Sequence, residues 1–261
     1  MPDHGKNFDE VVQETAARKL RAAQARFSGT ELSTEAPKEI YAAACRTIGD
    51  ALASDGYTFK KSGPALNRKA GDFSFEITFQ SSRDNIAGEL IAVWIHTNIR
   101  SMTLKKWRET HPSLVQSAGI AGGQIGNLLP NHSWMEWNVA SPASRAGQIA
   151  DAVVTIRRIV FPYFAMFEDV PDLVSRLVAN VVPFFSPASA LDFLMCFATP
   201  ADAMRAASNM LRTLPEAEVR YSAALARFRQ DGLPPRAPMI HGELLAYATV
   251  LQGFPDLREL H

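Results

Sequence analysis

Two alternating stretches set groups able to move a proton or hold a polar ligand at regular spacing. In 72-DFSFEITFQ-80, Glu76, Thr78 and Gln80 alternate with Phe73, Phe75, Ile77 and Phe79. In 89-ELIAVWIHTNI-99, Trp94, His96 and Asn98 fall on one side and Ile91, Val93, Ile95 and Ile99 on the other. Successive side chains of a strand point to opposite faces, and antiparallel partners lie about 5 Å apart. Paired, the two stretches would gather a carboxylate, an imidazole and two amides, with Arg68 supplied from a neighbouring strand. Because histidine titrates near neutral pH, such a cluster suits proton transfer or capture of a small polar ligand. The competing outcome is mutual hydrogen bonding with no cavity left, since buried polar groups are usually paired.

Other chemistries lack their signatures. There is no GxxxxGK[ST], HExxH, GxSxG, paired CxxC or calcium-binding loop pattern. The run 119-GIAGGQIG-126 is glycine-rich. A phosphate cradle needs backbone N–H groups converging at a helix start. No strand is evident before the run and no helix directly after it, so it reads as a flexible loop. Six histidines are scattered without i, i+4 spacing, which predicts no metal site. Cys45 and Cys196 sit in apolar helical patterns and read as buried thiols of a reducing compartment. No residue of the sequence stands out as catalytic, and no metal or cofactor is expected.

Charge narrows the partners. The 27 basic and 27 acidic residues cancel, which argues against binding driven by phosphate neutralisation. Lys60, Lys61, Arg68 and Lys69 form a local basic group beside aromatics. Lysines guarding a solvated hairpin edge explain it without nucleic acid. The most apolar segment, 149–167, contains two arginines and a proline, a poor membrane span. The N-terminal residues are charged throughout, with no apolar signal core. A cytoplasmic protein with a protein partner, and no membrane or nucleic-acid ligand, is the expectation.

The elements that must position the cluster follow from periodicity. Helices are predicted over 10–27, as an alanine-rich surface helix with a thin apolar stripe, and over 38–53, where Ile40, Tyr41, Ala44, Ile48 and Leu52 share a face. Strands follow at 72–80, 89–99 and 134–140. A helix from 144 then presents Ile149, Val153, Ile156, Val160, Tyr163 and Phe167 to the sheet. Four further helices, at 171–182, 187–198, 200–214 and 215–230, each begin at a proline, near a position where its missing N–H costs nothing. A last helix spans 242–253. The predicted fold is α+β: an antiparallel β-meander covered by helices in residues 1–169, followed by an all-helical region, 170–261, packed on it.

The strand region resembles the bacterial domain of unknown function 4304 family. The residues that carry the resemblance are Gly56-Tyr57, the basic pair Lys60-Lys61, Arg68, Phe79-Gln80-Ser81 and Asn98-Ile99. Gln124-Ile125-Gly126-Asn127-Leu128 follows, ahead of Trp134 and Trp137. Thr58-Phe59 is an insertion relative to that pattern. The match covers about residues 38–167. It implies an α+β fold and transfers no catalytic residue, because the family has no assigned activity. A non-catalytic binding protein, in one version a toxin-immunity factor, is the leading expectation. A hydrolase or transferase built on His96 and Glu76 is the alternative.

Overall fold

The computed structural model describes residues 35–115, 119–214 and 216–260. The helix expected at 10–27 lies outside the described residues. Helix α1 (Pro37–Ala51) buries Ile40, Tyr41, Ala44, Cys45 and Ile48, the face expected from their spacing. Gly56, at φ 84°, ends the turn after it, a backbone conformation that glycine adopts without penalty.

Six strands build the antiparallel sheet: β1 (Thr58–Lys60), β2 (Ala65–Ala70), β3 (Phe73–Ser81), β4 (Ala92–Ser101), β5 (Gly119–Gln124) and β6 (Trp137–Asn138). The order is β1-β2-β3-β4-β5, with β6 also paired to β4. The short β1 lies at one edge, with Thr58 opposite Asn67 and Lys60 opposite Ala65. Lys60 and Lys61 are exposed there, as expected of charges that discourage a further strand. Along β3 the alternation is complete: Phe73, Phe75, Ile77 and Phe79 are buried, while Ser74, Glu76 and Thr78 are half-buried.

The glycine-rich run departs from its loop reading, because 119–124 is strand β5. Its glycines answer a steric demand. A Cβ at Gly122 would lie 2.3 Å from the Thr97 carbonyl oxygen, so no larger residue lets the strand approach β4 this closely. At Gly126 a Cβ would stand 1.7 Å from the Ser133 carbonyl oxygen. The third expected strand, 134–140, shrinks to β6. Asn138 fixes it by accepting from the Ile91 N–H at 3.0 Å and donating to the Glu89 carbonyl at 2.7 Å.

Helices α2 (Met102–Thr110) and α3 (Pro142–Thr155) come next, and α3 runs into a π-helical turn (Ile156–Val160) and α4 (Phe161–Ala165). Pro162 explains the widened turn. It has no N–H to donate and its ring crowds the carbonyl four residues back, and the Phe161 N–H reaches the Ile156 carbonyl instead. Phe164 stacks on Phe75 with ring centroids 4.8 Å apart, and Phe161 stacks on Tyr57 at 5.1 Å. The apolar sheet face therefore meets the covering helix.

The C-terminal residues are helical: α5 (Val170–Val178), α6 (Pro187–Phe197), α7 (Pro200–Thr213), α8 (Ala217–Asp231) and α9 (His241–Gln252). Proline stands in the first turn of α5, α6 and α7. Asp169, Ser186 and Thr199 cap these helices by accepting from backbone N–H groups, and Thr199 completes a reciprocal capping box with Asp202.

By backbone contacts the chain divides into two compact units. One contains the described residues up to 70 with 74–98 and 122–164; the other contains 71–73, 99–121 and 165 onward. The division is thus interleaved in sequence, where the sequence reading drew one boundary near 169. No helix among the described residues is long and apolar enough to cross a membrane.

Candidate functional site

The outer sheet face of the first unit carries five of the six proposed site residues. Strand alternation turns Ile95, Thr97 and Ile99 inward, leaving Trp94, His96 and Asn98 half-buried on the other side. Asn98 Nδ2 donates to Glu76 Oε2 at 3.2 Å, so the carboxylate and amide meet across β3 and β4 as their spacing predicts. Gln80, two pairs further along β3, is exposed. Arg68 does not join the group. Its guanidinium carbon lies 5.0 Å from the Phe75 ring centre and 5.6 Å from that of Tyr57, on the apolar side. The stacking of a guanidinium on aromatic faces is itself favourable. The same alternation that put Glu76 outward turned Arg68 inward.

Two residues complete the face that the sequence reading did not place on it. Trp134 packs edge-to-face on Trp94, with centroids 5.4 Å apart and planes at 80°, and on His96 at 6.0 Å and 73°. Glu136 Oε2 accepts from Trp94 Nε1 at 2.8 Å. Gln124 anchors this loop through its Nε2, 2.6 Å from the Met135 carbonyl, and its Oε1, 2.7 Å from the Gly126 N–H. Trp134 remains 45% exposed. The alternation at 134–140 predicted a strand that would carry both residues, but only Trp137–Asn138 pairs, and Trp134 and Glu136 lie in the segment before it.

His96 is the unusual member. Its Nε2 is shielded from solvent and has no hydrogen-bond partner among the described residues. Burial disfavours the charged ring and lowers its pKa below the ordinary 6.5. The folded state therefore prefers the neutral imidazole. The stability this gives is present above pH 6.5 and is lost as pH falls from there towards the lowered folded value. A titration of the His96 ring protons by NMR is expected to show a midpoint below 6.5. A midpoint above 6.5 would mean that an acid partner engages the ring.

A surface groove of about 600 Å³ in the same unit lies away from this face, between α1 and α3. Ala51, Ile149, Val153, Arg145 and Arg157 line it, and none of the six proposed site residues does. Among the described residues no group of three or more His, Cys, Asp or Glu side chains is arranged to hold a metal ion. Both thiols are poor nucleophiles: burial raises Cys45 to about 12 and Cys196 to about 11.

A polar cluster with no sequence signal lies in the second unit. Arg108 Nε donates to Asp192 Oδ2 at 2.9 Å, with side chains 5% and 1% exposed. The Leu114 and Val115 N–H groups donate to the same carboxylate at 2.8 and 3.2 Å, and Arg108 Nη1 to the Gly119 carbonyl at 3.1 Å. Burial raises the Asp192 pKa despite these donors. Every one of these contacts ties chain segments together, so the cluster reads as structural.

Comparison with protein-family models, with curated proteins and with solved structures finds no match for this chain.

Proposed function

We propose that the protein is a non-catalytic binding protein that engages a partner protein through the outer face of its sheet. The observation that supports this reading is the exposed Trp134, set against Trp94 and His96 on that face. Exposed aromatics in a fixed setting contribute large contact area at small entropic cost and are enriched at interfaces. One version is a factor that neutralises a toxin, and a toxin gene beside its own would support that version. Nucleic acid fits less well. Lys60, Lys61 and Lys69 are exposed, but Arg68 is committed to Tyr57 and Phe75, which leaves little clustered charge for phosphates. Kinship with the domain of unknown function 4304 family is proposed on the strand motifs of 38–167 alone.

A photo-crosslinking residue placed at position 134 in living cells tests the interaction. A discrete adduct is expected from 134 and not from position 219, where Val219 is 80% exposed on α8. Equal labelling at both positions, or none at 134, would overturn the proposal.

The second reading, a small-molecule hydrolase or transferase, draws on His96, whose neutral and unpartnered Nε2 suits a general base. Turnover of an ester or phosphoester panel that His96→Ala abolishes would establish it.

A further inference from the structure

Resting on the interaction reading, we propose that the corner formed by Trp94, Trp134 and Glu136 binds a cationic side chain, an arginine or lysine in a basic segment of the partner protein. Indole is the strongest of the aromatic faces for a cation, which it attracts within about 6 Å of the ring centre. The two indoles meet edge-to-face at 80° with centroids 5.4 Å apart, so a cation over the open face of one also lies beside the other. Glu136 lies beside them, its Oε2 bound to Trp94 Nε1, and brings a carboxylate to the corner. Glu76 supplies a second carboxylate on the same face. His96, which borders Trp134, is held neutral by burial and contributes no opposing charge. Trp134 is accessible enough to receive a ligand, and its place in a loop anchored by Gln124 keeps the corner in position without one.

The chemistry also argues against an anion. A phosphate or carboxylate would meet the negative faces of two indoles and the Glu136 charge. A stacked nucleobase is the competing occupant, because every base has a face that can lie on an indole. It becomes an arm of the test.

The experiment titrates the full chain with octa-arginine, octa-glutamate and octa-thymidylate, following tryptophan fluorescence and the indole N–H signals of Trp94 and Trp134 by NMR. Saturable binding of octa-arginine, weakened by salt, is expected, with no response to octa-glutamate. Trp134→Ala should weaken it at least tenfold. Glu136→Gln keeps an acceptor for Trp94 Nε1 while removing the charge, so it should weaken binding several-fold and flatten its salt dependence. The neutral Trp134→Phe variant should recover part of the loss. Absence of saturation up to millimolar octa-arginine, an unchanged Trp134→Ala variant, or preference for octa-thymidylate would overturn the proposal. The two proposals fail separately. If octa-arginine does not bind while position 134 still captures a specific partner, the interaction stands and the cation chemistry falls. If neither occurs, both fall.

Discussion

Asp192→Ala is expected to destabilise the protein by about 3–5 kcal/mol, the usual cost of removing one partner from a buried ion pair. The carboxylate accepts from Arg108 and from the Leu114 and Val115 N–H groups, and all three donors lose that acceptor at once. The pair as a whole is another matter. Taking two charges out of water offsets much of their attraction, and the raised Asp192 pKa is the mark of that cost. A raised carboxyl pKa favours the folded state at low pH, and this advantage fades as pH rises above the ordinary 3.8 towards the folded value. The double variant Arg108→Met, Asp192→Leu should therefore recover most of what Asp192→Ala loses. Denaturant midpoints of the three proteins check both statements. A single-variant loss below about 1 kcal/mol would place the pair in contact with water, where ion pairs are worth little.

Phe75→Ala is expected to cost about 3–5 kcal/mol, the range for removing a fully buried aromatic ring. Phe75 is 0% exposed, stacked on Phe164, and covered by the Arg68 guanidinium. Truncation would open a cavity and remove the ring that Arg68 lies over. Phe75→Leu, which keeps most of the volume, should cost less than about 2 kcal/mol. If Phe75→Ala costs under about 1 kcal/mol by denaturant unfolding, the sheet buries its other face.

What could be read in advance depended on whether a residue's environment is local. The alternation of Phe73, Phe75, Ile77 and Phe79 is complete, so the sequence alone predicts both the buried face of β3 and the meeting of Glu76 with Asn98. Prolines at 171, 187 and 200 mark helix starts for a reason internal to each helix. Helix α2, by contrast, is polar along most of its length and buries only Leu104. Its one local signal is Ser101, whose hydroxyl accepts from the Leu104 N–H. Strand β5 was hidden because glycine there serves the approach of another strand, a demand that its own neighbours in sequence do not express. Arg108 and Asp192 are 84 positions apart. Nothing in either neighbourhood announces the other. Trp134 and Glu136 sit in the part of the expected strand 134–140 that does not pair, so the face was legible from β3 and β4 and misread at its rim.

The π-helical turn before Pro162 has a bearing on how this chain tolerates changes of length. Each residue of an α-helix advances the side chains by about 100°. Because this turn holds one residue more than an α turn, one residue removed from Ile156–Val160 would close it to an α turn and keep Phe161 over Tyr57 and Phe164 over Phe75, at the cost of bringing the Pro162 ring against a helix carbonyl. One residue removed from α3 itself has no such slack and would turn Ala152 and Val153 off their buried face. Single-residue deletions should thus be borne better in this turn than in α3, and exposed Arg158 within it accepts substitution. Among the sequences of distant relatives, a count shorter by one between α3 and position 162 would go with the loss of the proline there.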